Sequence, residues 1–313
     1  MNPARSALLW ASKNAWLRER LPRFGFAKRA VRRFMPGEDL DSALSAVETF
    51  RQQGMANIVT YLGENVTDAR EAAAVAEHYL GVLDRIADAQ LDCAISVKLT
   101  QLGLDLGADQ AAGHVDTLLE RAAKLGNVVW IDMEGSEYTD VTLDIYRRAR
   151  ERYENVGICL QANLRRTAAD LDALLPIGPR IRLVKGAYAE PARIAYTSKR
   201  EVDANYLALA ERLLADQARA GAGAGPLHGF ATHDSRMIEG VERMARELGL
   251  DDRAVEFQML YGIRVSEQRR LTAAGRRVRV LISYGEAWYP WYMRRLAERP
   301  ANVFFVLRNL LPG

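Results

Sequence analysis

The stretch RIRLVKGAY, residues 180 to 188, carries a buried-strand pattern and a charge that does not belong in one. Ile181, Leu183 and Val184 are apolar, yet Arg182 stands among them and Lys185 closes the run. Burying an unpaired guanidinium is costly, so a strand that carries one needs a negative or electron-rich partner for it. Other strand-like runs end in a similar way. Their last residues are Lys98, Asp132, Gln161, Arg182 with Lys185, Thr232 with His233, and Gln258. Singly, each has an ordinary explanation: a rim lysine, a helix-capping aspartate, a loop histidine. Polar or charged groups closing successive runs point instead to one functional face. Gly186 and the small Ala187 would let backbone N–H groups approach a phosphate, although a strand-to-helix turn explains Gly186 equally well. Further on, Arg294 and Arg295 are adjacent in a helical pattern, their side chains about 100° apart. Paired guanidiniums amid Trp288, Tyr289, Trp291 and Tyr292 suit a carboxylate, and a surface arginine pair is the plainer reading.

Bringing those ends together requires parallel strands. β-rich runs begin at Asn57, Cys93, Asn127, Val156, Arg180, His228, Ala254 and Val278. Helical stretches such as VTLDIYRRARERY and NYLALAERLLADQARA separate them, apolar at three- and four-residue intervals. Eight strand–helix units predict an α/β fold, a closed (β/α)8 barrel, with an open doubly wound sheet as the alternative. In such a barrel the active site forms at the carboxyl ends of the strands. The glycine-rich GAGAG at 221 to 225 follows a helix and precedes a strand, the wrong context for a nucleotide loop.

The 313 residues are 49% hydrophobic, with 43 basic against 40 acidic side chains. That near balance argues against nucleic acid as a partner. No apolar run approaches membrane-spanning length, and a cytoplasmic protein with Cys93 and Cys159 as reduced core thiols is expected. The first residues differ from the rest. Nine Arg or Lys and one acid, Glu19, accompany Trp10, Trp16, Phe24 and Phe26 between Arg5 and Met35. We read 1–40 as a helical arm, packed on the barrel or touching a membrane surface or a partner, and 41–313 as the barrel.

Several motifs, in order and over nearly the whole chain, resemble the proline dehydrogenase family: ISVKLTQLG, IDMEGSEYTDVTL, CLQANLRRT, RLVKGAYAEP, ATHDSRMI, VEFQMLYG and WYMRRLAERP. The resemblance implies a flavin enzyme that oxidises L-proline to pyrroline-5-carboxylate by hydride transfer to the N5 atom of non-covalently bound FAD, with a quinone as electron acceptor. It implies that Arg182 reaches the N5 edge of the flavin, with Asp132 and Arg182 catalytic. Met133 and Gln161 would lie beside the ring, and Lys185, Gly186, Ala187, Thr232 and His233 on the sugar–phosphate side, with Gln258 in the same shell. Lys98, Arg294 and Arg295 match the substrate-carboxylate clamp, with Leu183 and Tyr188 near the ring. No fused aldehyde dehydrogenase is expected. In the eighth strand the family generally reads VRVYxPYG, and this chain reads VRVLISYG: Leu281 replaces a pocket tyrosine and Ser283 a proline. Leu281 would leave Asp132 short of a hydrogen bond and open the pocket to another or a substituted cyclic imino acid. A Schiff-base aldolase using Lys98 or Lys185 is the rival from a different chemistry, and a barrel that only binds flavin or another ligand is a third class.

Overall fold

The computed structural model describes residues 31–188, 190–221, 227–289 and 291–293, together with Asn14, Trp16 and Arg20. Most of the basic arm, four of the five GAGAG residues and both clamp arginines, Arg294 and Arg295, lie outside the described residues.

Helix α1 (Leu40–Gln52) precedes the first strand, and Asp39 caps it by accepting a hydrogen bond from the Ser42 N–H. Strands and helices then alternate: β1 (Ala56–Tyr61), α2 (Ala69–Asp88), β2 (Cys93–Val97), α3 (Ala108–Lys124), β3 (Val129–Ile131), α4 (Thr139–Arg150), β4 (Val156–Gln161) and α5 (Thr167–Leu174). The second half continues with β5 (Arg180–Val184), α6 (Lys199–Ala220), β6 (Gly229–Ala231), α7 (Ser235–Glu247), β7 (Glu256–Leu260), α8 (Val265–Ala273) and β8 (Arg277–Tyr284). All eight strands lie within or beside the runs read from the sequence. Each pairs in parallel with its neighbours, and β8 closes on β1 through Leu281 opposite Ile58 and Ser283 opposite Thr60. The fold is a (β/α)8 barrel.

Side-chain alternation divides every strand between two environments. On β5, Ile181 is buried in the main core beneath the helices, while Arg182 points into the barrel. Inside, Ile58, Ala94 and Trp130 form an apolar layer against which Leu281 packs. Another polar layer is built on Glu256, which receives Arg279 Nε at 3.1 Å on both oxygens and Gln258 Nε2 at 2.8 Å. Burial alone would raise the Glu256 pKa, but the arginine outweighs it and holds the carboxyl below its usual range.

Candidate active site

At the carboxyl end of the barrel three of the expected residues meet around one carboxylate. Arg182 Nη1 donates to Asp132 Oδ1 at 2.6 Å, and Lys98 Nζ lies 3.7 Å from Asp132 Oδ2. Ser96 joins them: its hydroxyl donates to Asp132 Oδ1 at 2.8 Å and accepts from Arg182 Nη1 at 3.1 Å. Trp130 lies beneath, its ring centroid 4.8 Å from the Arg182 guanidinium carbon, a cation–π contact in a desolvated place. Arg182 is only 3% exposed, and its Nε and Nη2 have no hydrogen-bond partner among the described residues. Two N–H edges of a buried cation therefore remain for something electron-rich.

Local structure explains why Ser96 is available. The β1–β2 ladder pairs Asn57 to Val59 with Cys93 to Ile95. Beyond it the Tyr79 hydroxyl, from α2, accepts from the Tyr61 N–H and donates to the Ser96 carbonyl, each at 2.9 Å. That bridge holds the strand ends apart with their backbone groups satisfied. Glu134 ties β3 to the loop after β2 by accepting from the Thr100 N–H at 3.0 Å and the Thr100 hydroxyl at 2.5 Å. Burial pushes the Glu134 pKa up despite those bonds. The Gln161 amide donates to the Met133 and Glu134 carbonyls at 3.3 and 3.0 Å, fixing the turn that carries the buried Met133, and its own Oε1 has no partner among the described residues. A chamber of about 990 Å3 borders this cluster, and Lys98, Glu134, Ala187 and Tyr188 are among the residues that line it.

Residues 43–308 match the family model described as proline dehydrogenase. The chain belongs to the proline dehydrogenase family. It is 36% identical over 307 residues to proline dehydrogenase 1 of Bacillus subtilis, spanning 98% of this chain and 99% of that protein. It is also 36% identical over 286 residues to the proline dehydrogenase of Deinococcus radiodurans, 90% of each chain. Among solved structures, proline utilization A from Bdellovibrio bacteriovorus superposes with a TM-score of 0.80 at 23% identity. That alignment covers 94% of this chain and 38% of the other, so this chain spans little more than a third of that protein. The full-length matches make the chain an oxidoreductase of this family.

The remaining expected residues sit as follows. Lys185 donates to Asp203 and to Asp234, the latter at 2.9 Å. Gly186 has φ +105°, and a Cβ there would run into the Asn163 amide, so a side chain would strain the backbone and displace Asn163. The Thr232 hydroxyl accepts from the Asp234 N–H at 3.1 Å, and His233 Nε2 accepts from the Leu260 N–H at 2.9 Å. Gln258 is buried on Glu256, and its Oε1 has no partner among the described residues. Two expectations need correction. Leu183, next to inward-facing Arg182, falls on the helix side of β5 and is buried in the outer core, so it backs the site rather than lining it. Asp132 is not short of hydrogen bonds for want of a tyrosine at 281, because Ser96, Arg182 and Lys98 all reach it. Ser96, Trp130 and Glu134 were not singled out from sequence. Ser96 and Trp130 stand mid-run, where they read as ordinary strand residues. Glu134, directly after IDM, was the one legible signal.

Proposed function

We propose that this chain oxidises L-proline to pyrroline-5-carboxylate, using non-covalently bound FAD and passing the electrons to a quinone. Full-length relatives named proline dehydrogenase support the reaction class. The observation that carries it here is Arg182, a buried cation at the barrel mouth whose Nε and Nη2 have no partner among the described residues. The residues present fit a flavin. Arg182 supplies donors for an electron-rich ring edge, and the unpaired Gln161 and Gln258 oxygens supply acceptors. Met133, Lys185, Gly186, Ala187, Thr232 and His233 complete the cofactor set. When bound, FAD supplies the two-electron acceptor that no side chain can provide.

The chain's own residues supply position and charge. Lys98, Arg294 and Arg295 hold the substrate carboxylate, with Tyr188 beside it, which turns binding into orientation of the C5–H bond. Asp132 holds Arg182 and Lys98 in register, and Arg182 stabilises negative charge developing beside it. Burial pushes the Cys93 and Cys159 thiols up to about 12, so neither offers a thiolate for covalent flavin attachment. Lys185 is engaged by two carboxylates and Lys98 faces Asp132 at 3.7 Å, so each candidate Schiff-base lysine of the aldolase alternative is held beside a carboxylate as an ammonium partner.

The test is the absorbance spectrum of purified protein before and after anaerobic addition of proline: a yellow chromophore that bleaches is expected. Arg182→Met should slow bleaching by roughly two to four orders of magnitude, on the scale of a lost oxyanion-type donor; near-normal reduction would remove Arg182 from the mechanism. Replacing Arg294 or Arg295 by Met should raise the KM for proline strongly, because truncating a desolvated charge pair costs about 2–5 kcal/mol. Equal oxidation of proline and prolinol by the unmodified enzyme would refute the clamp.

A further inference from the structure

A dehydrogenase that draws two electrons from its substrate must release them to an acceptor that reaches the same mouth of the barrel. In that reading the chamber of about 990 Å3 receives the flavin ring as well as the imino acid, and its lining runs on beyond both. Its lining changes character away from Lys98. There the wall is Tyr61 from the end of β1, Ala74, Val75 and His78 from one face of α2, and Ala287 and Trp291 after β8. The Tyr61 ring lies 4.5 Å from the His78 ring and 5.4 Å from that of Tyr284, centroid to centroid. Such a wall accepts a flat ring against its aromatic faces.

His78 adds direction. Its Nε2 is 2.7 Å from the Tyr284 hydroxyl, which has no other hydrogen-bond partner among the described residues. A buried hydroxyl needs an acceptor, so Tyr284 donates and Nε2 accepts. Burial holds both groups in their uncharged forms, lowering the His78 pKa and raising that of Tyr284. The single proton of the neutral imidazole therefore sits on Nδ1, which has no partner among the described residues, on a side chain that lines the chamber. Glu71 and Glu286 also line this end and repel anions. That charge disfavours a phosphate-bearing nicotinamide cofactor and leaves a neutral acceptor.

We propose that this annex docks the electron acceptor as a quinone headgroup, its ring against Tyr61 and His78 and one carbonyl oxygen accepting the His78 Nδ1–H. The inference rests on the dehydrogenase reading above and adds where the acceptor sits. Overall, the imino acid gives up a hydride and the proton on its nitrogen. The quinone takes up the same two electrons and two protons, so no further co-reactant is needed.

The holoenzyme tests this by half-reactions. Flavin is reduced anaerobically with proline and then mixed with a short-chain ubiquinone or with ferricyanide. His78→Phe should leave reduction by proline and reoxidation by ferricyanide unchanged. It should weaken saturation by the quinone roughly fivefold to tenfold, the scale of one lost hydrogen bond. Ala74→Trp, which fills the annex, should block the quinone more severely with the same two reactions intact. Quinone saturation unchanged in both variants would overturn the proposal. Failure of proline to bleach the unmodified enzyme would instead refute the dehydrogenase reading, and dithionite-reduced flavin would still report on the annex.

Discussion

The Asp132 carboxylate gathers the Ser96 hydroxyl, the Arg182 guanidinium and the Lys98 ammonium at one point of the barrel mouth. Its place at the end of the third strand run marked it, and Lys98 and Arg182 were marked in the same way, because a charge closing an apolar run is a visible exception. What keeps Asp132 in place was not visible, since Ser96 and Trp130 look like any strand residues until the barrel closes and turns them inward. The same geometry changes the meaning of Leu281. It packs on the layer of Ile58, Ala94 and Trp130, and Trp130 in turn carries Arg182. We propose that its effect is on the shape of the substrate pocket rather than on the hydrogen bonding of Asp132. Leu281→Tyr should then shift preference towards proline over hydroxyproline or an N-substituted analogue by about 1–3 kcal/mol, the scale of pocket-contact discrimination. An unchanged ratio of specificity constants would mean that residue 281 does not shape the pocket.

Whole elements were more legible than single partners, because strand period and helix period are repeated signals while a hydrogen bond is made once. β5 was marked by the apolar Ile181, Leu183 and Val184, and α6 by its apolar spacing, while the Ser198–Glu201 capping box that opens α6 shows only in the structure. The cross-links between elements were hidden. Lys185 after β5 and Lys199 in α6 share Asp203 of α6 and Asp234, the residue that caps α7. Burial alone would raise both carboxyl pKa values, but the two ammonium groups outweigh it and hold them below the usual range. A carboxyl depressed on folding contributes stability that is fully present above its unfolded value, about pH 4, and is lost as pH falls towards the folded value. Thermal melts from pH 7 down to pH 3 should therefore show an acid-side loss of stability that shrinks in Lys185→Met. A parallel loss in both proteins would mean that this network does not couple β5 to α6 and α7.

At the scale of the molecule, segments from the two ends of the chain meet beside the chamber. Val31, Phe34 and Met35 pack against Trp288, Tyr289, Trp291, Tyr292 and Met293, and Trp288 Nε1 donates to Glu38 at 2.9 Å. Trp291 belongs both to this cluster and to the chamber wall, so the packing of the ends shapes the site. No sequence period links residues more than 250 positions apart, which is why this contact could not be read in advance. Gly262, between β7 and α8, gives access to it. Its φ is +70°, and a Cβ there would run into the Arg33 carbonyl. Gly262→Ala should cost about 1–2 kcal/mol for the left-handed backbone and more for displacing residues 31–35. Gly249→Ala is the control: its φ is +67°, with nothing within 4 Å of the added Cβ, so it carries the backbone cost alone. Gly262→Ala should therefore melt lower than Gly249→Ala and, through Trp291 in the annex wall, show a raised KM for the quinone acceptor. Equal losses in melting temperature and an unchanged KM in both variants would show that the contact between the ends neither stabilises the barrel nor shapes its mouth.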